Sequence, residues 1–397
     1  MKVNRIVTKL LTDVTPSMHK VRRQSLNAMV TSLLSGSSLS VTSIGRHLDS
    51  HTSEKHQIKR SMRLCSNHHL HQEIKGIYSC MAQRLVDTQR QPIILVDWSD
   101  LDPRKQHFLL RAAIAVEARS LTVLEQIYPV HEKEKPAIHK QFMTRLKTIL
   151  PSSCKPIIVT DAGFRVPWFK LMVSLGFDYV GRVRNRTFCK SKKDLDWYPV
   201  KDLYRNASSK PKDLGHYQMS RASPIACSMV NYKQKRQGRK HLTATGERAR
   251  RNSNSRSNAS KESEPWLLAT SLLGRGYRFA KKVMTLYQSR MQIEESFRDL
   301  KTGLRFNDSN TRQQKQLSLL LLLAMLAQMV LFLLGLAVKG MNKHRQYQAN
   351  STSTRAVLSY QFIGLRAYKD RRLRLNIKVW QDAITELQRL MQIPLNA

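Results

Sequence analysis

Apolar and polar positions change their rhythm several times along the chain. Residues 1 to about 85 follow a helical, polar and basic pattern. Within them, Leu39, Ile44 and Leu48 give one short helix a small apolar face. A turn at Asp49–Ser50 leads to a second helix from about Ser53, with Ile58, Met62 and Cys65 facing inward. From Gln91 the texture becomes that of strands. Pro92–Val96 is a continuous apolar run ending at Asp97, the pattern of a strand buried on both faces. Phe108–Val116 and Ser120–Tyr128 predict two more strands, and Pro136 opens an amphipathic helix with Ile138, Phe142, Leu146 and Ile149 on one side. A second buried strand, Pro156–Thr160, ends at Asp161. Pro167 then starts a helix, Gly176 stops it, and Phe177–Val183 returns as strand. Strands first, then strand and helix in alternation, predict an α/β layer.

Between Arg184 and Ser263 the pattern is poor in helix, with strands at Tyr217–Met219 and Ala226–Tyr232. Lys233–Lys261 is basic, rich in Ser and Asn and without aromatics, the composition of a mobile loop near a polyanion. Pro265–Thr270 recovers a strand. Lys281–Lys301 then holds no Pro or Gly and is followed by Gly303, so it reads as one helix with a glycine stop. On an ideal wheel of about 100° per residue, Tyr287, Arg290, Glu294 and Lys301 fall within a sector of roughly 60°. Ile293, Phe297 and Leu300 form an adjoining apolar stripe. Leu317–Val338 is long and apolar enough to span a bilayer. Gln328 in its middle, Lys and Arg at both ends and the lack of a second span point instead to a buried core helix. The tail from Gly340 is basic, with helix again in Trp380–Met391.

Charge narrows the class of partner. Among 397 residues, 68 Lys and Arg face 28 Asp and Glu, a formal net charge of +40. Such an excess repels itself unless a polyanion neutralises it, so nucleic acid is the expected partner and a membrane surface the weaker alternative. The five cysteines are far apart and match no zinc spacing or disulfide framework, and the N-terminus lacks a signal-peptide pattern. Both fit a cytoplasmic protein.

Asp97 and Asp161 each end a buried strand, the edge at which open α/β sheets place ligands. With Glu294 they make a carboxylate set. Carboxylates without His or Cys select hard cations, Mg²⁺ or Mn²⁺. Tyr287, Arg290 and Lys301 suit phosphate oxygens, although Arg290 and Glu294 could equally form a surface i, i+4 pair. In the N-terminal region, Lys55, Gln57, Lys59, Arg60 and Arg63 form the outer face of the second short helix, suited to the phosphates and base edges of DNA, a plain helical bundle being the other reading.

The Asp97–Asp161–Glu294 set, with Tyr287, Arg290, Glu294 and Lys301 at steps of three, four and seven, resembles the DDE transposases of bacterial insertion sequences. It is similar in particular to the insertion-sequence-four family and its Tyr-Arg-Glu-Lys signature. The phrases VDWSDLD, IVTDAGF and PWLLATSL resemble the insertion-sequence-ten branch. The resemblance spans roughly residues 90 to 370. It implies an RNase H-like catalytic core with a β-rich insertion domain, joined to an all-α N-terminal DNA-binding domain. The expected boundaries are 1–85 for the end-binding domain, 86–184 and 271–340 for the two parts of the core, 185–270 for the insertion with its loop at about 233–263, and 341–397 for a basic helical tail.

The resemblance also implies cut-and-paste chemistry. Water nicks an end, the freed 3′-OH closes a hairpin, water reopens it, and the 3′-OH attacks target DNA. Asp97, Asp161 and Glu294 would hold two metal ions, Arg290 and Tyr287 would orient phosphates, and Lys301 would bind backbone further on. The protein would act as a homodimer on paired transposon ends. Trp266 is the candidate for stacking on a flipped base, a core Trp of the insertion being the other reading. Met291 stands where some relatives carry Trp, and Trp98 reads as packing. The competing functions are a non-catalytic DNA-binding regulator and a general metal nuclease without strand transfer.

Overall fold

The computed structural model describes residues 3–87, 89–102, 104–184, 187–234, 264–349, 351 and 355–392. Among them are ten strands and twelve α-helices, a mixed α/β structure. The chain gathers into two units, Met1–Cys154 with Met291–Asn396, and Lys155–Arg290.

The first unit begins with five helices: α1 (Val3–Val14), α2 (Lys20–Leu34), α3 (Val41–Arg46), α4 (Glu54–Cys65) and α5 (His68–Val86). Side-chain caps set two of the starts. Ser40 accepts the Ser43 N–H ahead of α3, and Asn67 accepts the Leu70 N–H ahead of α5. Helices α3 and α4 are the expected short pair. They cross so closely that a Cβ on Gly45 would lie 2.6 Å from Ile58 Cα. Met62 departs from expectation, being exposed, while Ser61, Leu64 and Cys65 are buried. The buried face is centred near Ser61, which puts Met62 about 100° round the helix from it.

Strands β1 (Ile93–Asp100), β2 (His107–Ala115) and β3 (Ser120–Pro129) form an antiparallel sheet in the order β3-β2-β1. Burial ends where the apolar run ends, after Val96, but the strand does not. β2 offers partners for Asp97 through Asp100, the last being Phe108, so Asp97 lies within β1 rather than at its carboxyl end. Helix α6 (Pro136–Ile149) starts on its proline and buries His139, Phe142, Met143, Leu146 and Ile149.

In the second unit, β4 (Ile157–Thr160) runs parallel to β5 (Asp178–Val183), with α7 (Val166–Ser174) between them in sequence. β6 (Phe188–Ser191), β7 (Tyr198–Pro199), β8 (Lys212–Met219), β9 (Ile225–Tyr232) and β10 (Trp266–Thr270) complete a sheet in the order β4-β5-β10-β9-β8-β6-β7. The short and polar β6 and β7 carry no apolar run and were not expected. The basic loop expected at about 233–263 lies, beyond Gln234, outside the described residues. The unit closes with α8 (Gly276–Gln288), packed against β4, β5 and β8–β10.

The expected single helix Lys281–Lys301 is two. α8 ends at Gln288, and α9 (Met291–Arg298) begins three residues later, followed by one π-helical turn at Asp299–Gly303. At the break the Ser289 hydroxyl donates to the Leu286 carbonyl at 2.7 Å, and the Arg290 N–H turns to the Tyr287 carbonyl at 3.1 Å. The tightened turn interrupts the helical ladder, so the ideal wheel does not hold across it.

The first unit then gains α10 (Gln314–Gly340), α11 (Tyr360–Lys369) and α12 (Ile377–Gln392). Every residue of α10 from Leu319 to Val338 is buried, under α2, α4, α5, β3, α11 and α12. This is the core helix that the apolar run implied, although its length and composition would also span a membrane. It touches α11 backbone to backbone. A Cβ on Gly335 would lie 2.0 Å from the Tyr360 carbonyl oxygen, and one on Gly364 would lie 2.0 Å from that of Leu331. Gly335→Ala and Gly364→Ala are each expected to destabilise the protein by about 2 kcal/mol in urea unfolding. Over-packing against backbone costs about 3 kcal/mol, and the better helix propensity of Ala returns about 1. Unchanged midpoints would show that the two helices do not meet at these glycines. The five cysteines are free thiols.

Candidate active site

One cross-strand row organises the candidate residues of the first unit. Asp97 on β1 stands opposite Arg111 on β2, and Arg111 stands opposite Glu125 on β3. Directly opposed residues of antiparallel strands point to the same face, so these three side chains lie side by side. Arg111 is only 1% exposed. Its Nε and Nη2 donate to Glu125 Oε2 at 2.8 and 2.6 Å, and the Tyr78 hydroxyl of α5 donates to Oε1 at 2.8 Å. Helix α9 packs on this sheet, with the Phe297 ring 4.9 Å from the Arg111 guanidinium. Glu294 lies one turn before Phe297. The strand carrying Asp97 and the helix carrying Glu294 therefore meet over one buried guanidinium.

The β2–β3 turn sets the position of α9 along its axis. Gln292 Oε1 accepts the Val116 N–H at 3.0 Å, and Ser296 Oγ accepts the Ser120 N–H at 2.9 Å while donating to the Ser120 carbonyl at 2.8 Å. Arg119 Nε donates to Asp299 at 2.6 Å, and its Nη1 lies 3.6 Å from Glu295. Burial raises the Asp299 carboxyl above its ordinary pKa, against the pull of Arg119. Gln292, Ser296 and Asp299, at steps of four and three, bolt one side of the helix to the hairpin. Ile293, Phe297 and Leu300 fill the core as expected, and Glu294 stays exposed. Arg119, Gln292, Ser296 and Asp299 were not picked out in the sequence. The signal was there in Arg111 and Glu125, two charges inside otherwise apolar strands.

Asp97 Oδ1 accepts the Trp98 N–H at 2.8 Å. Trp98 packs edge-on to Tyr128, and its Nε1 donates to His139 Nε2 at 3.1 Å. Burial pushes His139 down to about 4, so its neutral ring can accept that bond, and Trp98 is a packing residue. The Lys301 ammonium is half-buried and donates to Asp100.

The second unit holds Asp161, Tyr287, Arg290 and Trp266. Asp161 directly follows β4, as expected, and its Oδ1 accepts the Gly163 N–H at 2.8 Å. Tyr287 is 5% exposed near the end of α8. Burial pushes its phenol above the ordinary value; Arg290 and Arg182 oppose the push, Asp161 adds to it, and Arg290 hydrogen-bonds the hydroxyl. Asp161, Tyr287, Arg290 and Arg182 thus share one electrostatic neighbourhood. Arg182, missed in the sequence, also holds Glu264, with Nη2 3.2 Å from Oε2. Trp266 is half-buried and pairs across the sheet with Tyr232, its ring centroid 5.5 Å from that of Tyr232 and 5.0 Å from that of Tyr287. Met291 is 50% exposed.

On α4, Lys55, Lys59, Arg60 and Arg63 are exposed as expected. Gln57 is not an outer-face residue. Its amide donates to the carbonyls of Ser50 and Thr52 at 3.0 and 2.9 Å, bracing the turn between α3 and α4.

Among the described residues, no three His, Cys, Asp or Glu side chains gather closely enough to hold a metal. Either unit alone supplies at most two of Asp97, Asp161 and Glu294. The chemistry of that set, carboxylate oxygen without imidazole or thiolate, fits a hard divalent cation.

A search of curated proteins found no match. A family model described as the transposase DDE domain matches residues 88–330, a span that contains Asp97, Asp161 and Glu294. That is more than half of the chain, and the protein belongs to the DDE transposase family.

Proposed function

We propose that this DDE transposase moves a bacterial insertion sequence by cutting and pasting DNA, and that it is of the insertion-sequence-four type. The observation that carries the reading is the meeting of the Asp97 strand and the Glu294 helix over Arg111. All four Tyr-Arg-Glu-Lys positions are also filled, by Tyr287, Arg290, Glu294 and Lys301. Asp97, Asp161 and Glu294 are the residues that would hold two Mg²⁺ or Mn²⁺ ions. Such ions, when bound, activate water and neutralise phosphate charge at both ends of an in-line displacement.

The chain's own groups supply position. Arg290, braced by Tyr287, binds a phosphate oxygen beside the scissile bond, and Lys301 exchanges Asp100 for a phosphate further along. Trp266 and Met291 are the surfaces available to an unstacked base in a bent hairpin. The exposed Lys55, Lys59, Arg60 and Arg63 of α4 bind the terminal repeats. The functional division follows the boundaries expected above, with an RNase H-like core in two parts and a β-rich insertion. The working form is a homodimer on paired ends.

A hairpin assay separates this reading from a plain metal nuclease. The full chain, given Mg²⁺ and DNA carrying the element's ends, is expected to yield a covalently closed product visible on denaturing gels. Nicked or broken ends without closed product would make the protein a nuclease and sink the cut-and-paste assignment.

A further inference from the structure

A basic cavity lies in the first unit, apart from Asp97 and Glu294. Helices α5, α6 and α10 and strand β3 enclose a cavity of about 290 Å³, room for a phosphate and several waters at about 30 Å³ each. Its one carboxylate is Glu125, whose two oxygens are already taken by Arg111 and Tyr78. The remaining charged walls are cationic: Arg145 from α6, Lys75 from α5 and Lys315 from α10. Lys75 and Lys315 are exposed and mark where the cavity opens to solvent. Arg145 lies deeper. Its Nε is buried with no hydrogen-bond partner among the described residues, an expensive state for a guanidinium donor unless a ligand completes it. The group sits close enough to Tyr78 and Tyr128 to oppose the upward push that burial gives both phenols.

The place of the cavity suggests its ligand. Glu125 ends the row that Asp97 begins, two strand spacings or about 10 Å away. One helical turn of DNA, about 34 Å, covers both. A chain of net charge +40 meets phosphates chiefly as a polymer, and the opening flanked by two lysines lets one phosphate enter while its strand continues outside. We propose that Arg145, Lys75 and Lys315 form a pocket for one backbone phosphate of bound DNA, an anchor separate from the cleavage residues. The proposal rests on the reading of the protein as a DNA transposase.

The test is the salt dependence of duplex binding by the full chain, followed by anisotropy of a labelled duplex of arbitrary sequence. Arg145→Gln keeps most of the side chain's reach and removes its charge. Lys75→Gln combined with Lys315→Gln alters only exposed residues and so does not disturb folding. Each variant is expected to bind about tenfold more weakly. The slope of log K against log salt should become shallower by about 0.9 for each phosphate that is no longer neutralised. Wild-type slopes in both variants would overturn the pocket. A wild-type slope in Arg145→Gln, joined to loss of thermal stabilisation by inorganic phosphate, would also overturn it, because the cavity would then hold a free anion and not DNA. Binding is read without cleavage, so shallower slopes in a protein that cuts no DNA would keep the pocket and reject the transposase mechanism instead.

Discussion

Asp97→Ala, Asp161→Ala and Glu294→Ala should each lower metal-dependent cleavage of end-bearing DNA by about 10³-fold or more, a loss of about 4 kcal/mol of transition-state stabilisation. Duplex binding should change little. Phosphate contacts come from Lys and Arg, and removing a carboxylate from so basic a chain only adds to its positive charge. Thermal melting should also hold, since Asp97 and Asp161 are half-buried and Glu294 is exposed. Loss of cutting with binding and melting intact is therefore the signature of lost ligands rather than lost fold. If all three variants cut like the wild type, the carboxylate mechanism is wrong. If the wild type binds the ends but never cuts them, the protein is a regulator built on a transposase scaffold.

Arg111→Ala and Glu125→Ala should each cost about 3–5 kcal/mol in denaturant unfolding, because either change strands an unpaired charge in the core of the first unit. The double variant Arg111→Met with Glu125→Leu should recover most of that loss, since a well-packed apolar pair can replace a buried ion pair. Its activity should not recover with its stability. The guanidinium under Phe297 joins the hairpin bonds in seating the Glu294 helix, and a methionine offers that ring no positive charge. Single variants within about 1 kcal/mol of the wild type would mean that the pair is not the keystone of this core. Full activity in the double variant would mean that Phe297 seats the helix by packing alone.

What the sequence made legible follows from how strongly each feature constrains residue type. The buried stretches of β1, β4 and the long helix α10 are apolar on nearly every side, so Pro92–Val96, Pro156–Thr160 and Leu317–Val338 announced them as near-continuous apolar runs. Asp161 was placed correctly because the chain turns directly after Thr160, whereas Asp97 was placed at a strand end because burial stops there although pairing does not. The break between α8 and α9 was hidden. It needs no Gly or Pro, only one serine hydroxyl competing for a carbonyl and one shortened backbone bond. Arg111 and Glu125 are single charges in otherwise apolar strands, and only the strand register makes them neighbours. Trp266 gained its two tyrosine contacts in the same way, one through pairing with β9 and one through α8.

The first unit is assembled from two stretches of chain with the second unit threaded between them. Its birth on the ribosome is consequently delayed. At about 5–20 residues per second, roughly 10–40 s separate the synthesis of Asp97 from that of Glu294. Through that interval the β1–β3 sheet waits without α9, its Arg111–Glu125 row uncovered by Phe297. The apolar α10 emerges later still, into a half-built core. Newly made chains are thus expected to expose apolar surface until α10 has been synthesised.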